Sequence, residues 1–123
     1  MIEFLRTPAN YQAKGKYIGY IDQAKDEYDL LDKIAKALRF PDSAGGGWNS
    51  IDDALRDLSW ITEKEVVLIH LTLPELSPTA WQTYISIISY AVDSWENDPE
   101  HHLTIFFPED ALPMVQAALR RLE

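Results

Sequence analysis

The chain contains no cysteine among its 123 residues. This absence excludes a disulfide framework, a thiolate nucleophile and a zinc site with cysteine ligands. Long hydrophobic runs are absent too, since no apolar stretch approaches the ~20 residues that a membrane-spanning helix needs. The N-terminal sequence MIEFLRTPAN lacks the basic start and the apolar run of a signal peptide. We therefore expect a cytoplasmic protein without a membrane partner.

Basic residues are also few. The chain has 11 lysine and arginine residues against 20 aspartate and glutamate residues, which gives a formal net charge of −9. Nucleic-acid affinity depends on clustered lysine and arginine, so direct binding of nucleic acid is not expected. Opposite charge favours a basic protein as the partner, because complementary fields speed encounter. Acidic proteins without any such partner are also common, and charge alone leaves both interpretations open.

Length and hydrophobic pattern indicate a single α/β domain over residues 1–123, with its core at about 16–108. Runs rich in β-branched and aromatic residues predict three strands, and the apolar residues between them recur at helical spacing. The expected strands are residues 16–22, 65–72 and 103–107. Strands that alternate with helices favour a small three-stranded parallel sheet flanked by helices. An extra helix is expected in the C-terminal extension 109–123.

Local signals also predict where the helices begin. Aspartate, asparagine and serine side chains accept a hydrogen bond from the free N–H groups of a first helical turn, so they serve as N-caps. The expected N-caps are Asp26, Asn49 and Ser77. Pro78 strengthens the third of these, because proline suits the first helical position. The second of the four predicted helices covers residues 49–58.

Residues that could support catalysis or metal binding are sparse. His101 and His102 are adjacent, so on a strand they point to opposite faces and cannot share one ion. His70 lies in an apolar strand, where a histidine is more often a hydrogen-bonded core or edge residue than a metal ligand. The glycine run 45–47 is followed by acidic residues rather than by Lys-Ser/Thr and does not suit a phosphate. We expect no metal, cofactor or small-molecule substrate, and a small acidic enzyme stays only as a minor alternative.

The most informative segment is residues 40–61, FPDSAGGGWNSIDDALRDLSWI. A proline–aspartate turn leads into three glycines and a tryptophan, and a short acidic helix follows. Asp52, Asp53 and Asp57 share one side of that helix, because residues one, four and five positions apart lie close together. Their mutual repulsion destabilises an isolated helix by roughly a few tenths of a kcal/mol. Such a face is either simply solvated or available to a basic partner.

This arrangement resembles the barstar family of intracellular ribonuclease inhibitors. The shared pattern is a Pro-acid-x-x-Gly loop, then Gly-Trp-Asn and a helix reading IDDALRDLSW, and a weaker likeness extends over residues 16–108. Residues 1–15 and 109–123 have no counterpart in the pattern. The resemblance implies a barstar-like fold whose loop and second helix block the active site of a basic ribonuclease or toxin. Carboxylates would take the place of the substrate phosphates there.

The resemblance also implies which residues bind the partner. They are Gly45, Gly46, Gly47, Trp48, Asn49, Asp52, Asp53, Asp57 and Trp60. Asp53 matches the central aspartate that reaches deepest into the ribonuclease, whereas Asn49 replaces another aspartate of the family pattern. Ser43 and Ala44 stand where the pattern has aromatic residues.

Exposure is expected to separate binding residues from core residues. A binding carboxylate must be available, so we expect Asp53 and Asp57 to be exposed and free of strong intramolecular ion pairs. Glu27 is expected to lie far from them on the first helix. Trp48 and Trp60 are compatible either with partner contact or with the core. The alternative function is a non-inhibitory protein-interaction or regulatory module on the same fold.

Overall fold

The computed structural model describes residues 1–41 and 46–123. In this part of the chain the four strands are β1 (Ile2–Leu5), β2 (Lys16–Ile21), β3 (Glu65–His70) and β4 (His102–Pro108). The four α-helices are α1 (Glu27–Ala37), α2 (Trp48–Asp57), α3 (Pro78–Trp95) and α4 (Leu112–Arg120). Short 3₁₀ turns cover Pro8–Asn10 and Glu109–Ala111. All strand pairs are parallel, and the order across the sheet is β1-β4-β3-β2.

The central strands of the sheet are buried on both faces. β3, with the sequence EVVLIH, is buried at every position after its first residue. Such a continuous apolar run is typical of a parallel strand that is covered on two sides. One face joins Leu68 to the buried sides of the helices in the main core. The opposite face carries Val67, Ile69 and Phe106, against which Tyr11 packs.

The prediction of a three-stranded sheet is wrong by one strand, because β1 adds a fourth strand beside β4. β1 has only four residues, IEFL, and all of them are half-buried. An edge strand this short pairs on one side only, so neither alternation nor a continuous apolar run identifies it in the sequence. The three predicted strands are confirmed to within two residues at each end, and the C-terminal helix is present as α4.

Two of the predicted N-caps are confirmed. The side chain of Asp26 accepts a hydrogen bond from the backbone N–H of Asp29 at 2.8 Å, at the start of α1. Ser77 accepts one from the backbone N–H of Ala80 at 3.1 Å, at the start of α3. Each bond satisfies a donor that the first helical turn leaves without an intrahelical partner.

The predicted N-cap Asn49 is wrong, because α2 begins at Trp48 and its N-cap is Gly47. Gly47 has a φ of 124°, a backbone conformation that residues with a side chain rarely adopt. The chain therefore turns into the helix at the last glycine of the run. This start places Asn49 inside the first turn of α2.

The long helix α3 forms the support on which α2 lies. α3 packs against α2, α4 and β4. Its buried residues accordingly cover much of its circumference, as is typical of a helix with several neighbours. Among residues 1–41 and 46–123, no helix, α3 included, is long and apolar enough to cross a membrane.

The substitution Gly19→Ala tests how closely α1 approaches the sheet. A methyl group on Gly19 in β2 would lie 2.9 Å from the carbonyl oxygen of Ala37 at the end of α1. Because the obstacle is backbone, the helix end must shift, and we expect the free energy of unfolding to fall by about 1–3 kcal/mol. Urea denaturation measures this change. Gly46→Ala is the control, because among the described residues, apart from its neighbours in the chain, no atom lies within 4 Å of the added carbon. Equal losses in both variants would contradict the explanation.

Candidate functional site

The underside of α2 is anchored in the core, which fixes the direction of its opposite side. Ile51, Ala54 and Leu55 are buried. Nε1 of Trp95 in α3 donates a hydrogen bond of 2.8 Å to the backbone carbonyl of Leu55. These contacts prevent rotation of α2 about its axis. The acidic residues between the buried positions are therefore held toward solvent.

The acidic residues of α2 differ in how accessible they are. The Asp53 side chain is 81% exposed, and Asp57 is exposed as well, which confirms the predicted exposure of both. The Asp52 side chain is only 33% exposed. A carboxylate as exposed as that of Asp53 can meet a partner without prior rearrangement of the core.

Arg56 on the same helix binds two of these carboxylates. Its guanidinium donates to both carboxylate oxygens of Asp52 at 3.3 Å and to Oδ1 of Asp53 at 3.1 Å. The guanidinium carbon also lies 5.3 Å from the ring centroid of Tyr90 in α3. Ion pairs this exposed contribute at most about 1 kcal/mol, so Asp53 is paired but not strongly. None of the ion pairs within the described residues includes Asp57.

Trp48, the first residue of α2, and Trp60, beyond the end of α2, are both half-buried against the core. Nε1 of Trp48 donates to Oε2 of Glu27 at 3.0 Å, and its ring centroid lies 6.1 Å from that of Tyr84. Nε1 of Trp60 donates to the backbone carbonyl of Leu38 at 2.8 Å. Each ring therefore anchors the segment while part of its surface stays accessible.

The expectation that Glu27 lies far from the acidic helix α2 is wrong. Glu27 lies at the start of α1, and its bond to the Trp48 indole brings it beside the first turn of α2. The two residues are 21 positions apart in sequence, so no local periodicity relates them. Only the packing of α1 next to α2 reveals that this carboxylate belongs to the same surface.

The glycine segment is described in part. Gly46 is exposed, Gly47 is half-buried, and Asn49 is exposed in the first turn of α2. Gly45 lies outside the described residues. So do Ser43 and Ala44, which stand where the family pattern has aromatic residues. Together with the acidic side of α2, the described part forms one continuous stretch of chain from Gly46 to Asp57.

Residues 46–60 lie within a segment that matches a known protein family. The barstar (barnase inhibitor) family model matches residues 20–108. The chain belongs to the barstar family. The match includes α1, α2, β3, α3 and β4, whereas β1, most of β2 and α4 lie outside it. Barstar-family proteins are inhibitors and not enzymes, and they bind barnase-type ribonucleases. A search of curated proteins and a search of solved structures each found no match.

In this barstar-family chain the histidine of β3 is a core residue, as the sequence predicted. His70 is fully buried, with Nδ1 2.9 Å from the carbonyl oxygen of Phe106 and Nε2 2.6 Å from the hydroxyl of Tyr84. Its ring stacks on Phe107 with centroids 4.1 Å apart. A neutral ring satisfies both contacts, with Nδ1–H donating to the carbonyl and Nε2 accepting from the hydroxyl. Burial lowers the pKa of His70 to about 4 and raises the pKa of Tyr84.

Proposed function

We propose that this barstar-family chain inhibits a basic ribonuclease by covering its active site with α2 and the glycine segment before it. The observation that carries the proposal is the exposed carboxylate of Asp53 on a helix whose underside is locked into the core. A ribonuclease groove presents basic side chains arranged for phosphates, and correctly spaced carboxylates can bond to several of them at once. A rigid helix loses little conformational freedom on binding, which favours affinity.

Each part of the proposed surface has a distinct role. Asp52, Asp53 and Asp57 would bind cationic groups of the ribonuclease. The glycines 45–47 would allow its backbone to approach closely, since they have no side chain. Trp48, Asn49 and Trp60 complete the surface at its margins. The partner is then a basic ribonuclease toxin, and the chain acts in the cytoplasm as its immunity protein, without a cofactor or small-molecule substrate.

A specific observation also favours a non-inhibitory protein-interaction module on the same fold. Asp52 is largely enclosed, and both of its oxygens already accept from Arg56. Asn49 removes one further negative charge from the family pattern. Both features lower the charge that this surface presents to a ribonuclease. A measurement of inhibition separates the two functions.

We expect the purified chain to inhibit a barnase-type ribonuclease at equimolar amounts. The association rate constant should fall at least about 10-fold between ~0.05 M and ~0.5 M salt, because salt screens exposed charges beyond a Debye length of ~10 Å at 0.1 M. Stopped-flow mixing at several salt concentrations measures this rate, and the dissociation rate should change much less. Absence of a complex with any barnase-type ribonuclease would favour the interaction module instead.

A further inference from the structure

A cleft of about 430 Å³ lies between α1 and the first turn of α2. Leu31, Ala35, Ile51 and the ring of Trp48 give it largely apolar walls. Tyr28, which is 74% exposed, also lines it. A concave site of this size with apolar walls can enclose one side chain of a partner. The cleft shares Gly46, Gly47 and Trp48 with the proposed ribonuclease-binding surface and adds α1, which has no part in that proposal.

The cleft also carries negative charge in a fixed orientation. Glu27 lines it, and the hydrogen bond of 3.0 Å from the Trp48 indole holds its carboxylate in place. A carboxylate offers about four acceptor positions, so it retains capacity for a further donor. Asp32 lines the same cleft and forms an exposed pair with Lys36 at 2.9 Å. Within the described residues, no ion pair includes Glu27.

We propose that this cleft binds an arginine side chain of the basic partner, an inference that rests on the proposed function. The guanidinium group is flat and weakly hydrated, stacks on aromatic rings and forms paired hydrogen bonds with carboxylates. The ring of Trp48 and the carboxylate of Glu27 supply both kinds of contact. The apolar stem of the arginine would lie against Leu31 and Ile51.

Other side chains fit this chemistry less well. A lysine ammonium is compact and strongly hydrated, so it gains less from an aromatic wall. An aliphatic side chain would cover the carboxylate of Glu27 without bonding to it, and removing an ion from water without a partner is unfavourable. The cleft therefore selects among basic ribonucleases for one with an arginine opposite α1.

The arginine site can be tested without a ribonuclease. The probe is N-acetyl-arginine amide, added to the full ¹⁵N-labelled chain while the four tryptophan indole resonances are followed by NMR. We expect the Trp48 resonance to shift saturably, and the buried Trp95 indole, bonded to Leu55, to stay unchanged. The citrulline analogue, which has the same shape without the charge, should bind at least about 5-fold more weakly.

Glu27→Gln isolates the charge of the cleft, because the amide oxygen still accepts from the Trp48 indole. We expect it to weaken arginine-amide binding by about 5-fold, whereas Glu123→Gln, on an exposed residue beyond α4, should have no effect. Equal binding of the arginine and citrulline probes, or an unchanged affinity in Glu27→Gln, would overturn the proposal.

A barnase-type ribonuclease then separates this inference from the proposed function. Glu27→Gln should weaken its binding to the chain by about 5-fold. If the chain inhibits the ribonuclease fully and Glu27→Gln binds it equally well, the proposal of an arginine site is wrong, whereas the inhibitor function stands. Specific binding of the arginine probe without inhibition of the ribonuclease would support arginine binding by the cleft. It would also mean that the arginine comes from a partner other than a barnase-type ribonuclease.

Discussion

Replacing Asp53 with alanine is expected to weaken binding to a barnase-type ribonuclease by at least ~2 kcal/mol, or about 30-fold. The Asp53 side chain is 81% exposed in the free chain, so the unbound protein loses little when it is removed. In the complex, the missing carboxylate would leave buried basic groups of the ribonuclease without their partner, and that loss is large. Isothermal titration or inhibition kinetics of the unchanged chain and of Asp53→Ala measures this difference in binding free energy.

The control for Asp53→Ala must carry the same charge and lie far from α2. Glu27 is unsuitable because it bonds to Trp48 beside α2. Glu123→Ala is suitable, since Glu123 is exposed beyond the end of α4, which packs against α3. We expect it to change affinity by less than about 0.5 kcal/mol. Equal losses in both variants would mean that only net charge attracts the ribonuclease.

Acidification from pH 7 to pH 4 is expected to lower the free energy of unfolding by about 3 kcal/mol through His70 alone. Burial lowers the pKa of His70 from 6.5 in the unfolded chain to about 4 in the folded protein. Between these values the unfolded state binds a proton that the folded state does not, so stability rises with pH. The loss therefore begins near pH 6.5 and continues down to about pH 4.

NMR titration of the His70 ring protons measures this pKa directly in the folded chain. Carboxylates also contribute to acid unfolding, so this titration, rather than the slope of stability against pH, isolates the contribution of His70. A His70 resonance that titrates near 6.5 while the protein stays folded would contradict the prediction.

The elements that depend on local signals could be predicted from the sequence. Asp26 and Ser77 cap their helices as expected, because an N-cap needs only a side chain and the N–H groups that follow it. The apolar stripe of α2 was predictable for the same reason, since helical spacing alone determines which side is buried. The pairing of Arg56 with Asp52 also follows from the i, i+4 rule. The sequence alone did not suggest that the Arg56 guanidinium bonds to Asp53 as well.

Features that depend on distant parts of the chain could not be predicted. β1 is stabilised by β4, whose residues lie about a hundred positions later, and its own four residues carry no pattern. Gly47 replaces Asn49 as the cap because the turn requires a positive φ, and that requirement comes from the path of the chain. The contact between Trp48 and Glu27 arises where two helices pack side by side. Packing of this kind decides which carboxylates share a surface.

The place of β1 in the sheet also constrains the order in which the protein assembles. Ile2 pairs with Ile105, so β1 has no partner in the sheet until β4 has been synthesised. Closing a loop of that length delays pairing, whereas β2 and β3 can meet much earlier. α2 lies between β2 and β3 in the chain. The acidic helix is thus made early, while the edge of the sheet closes only after translation has passed β4.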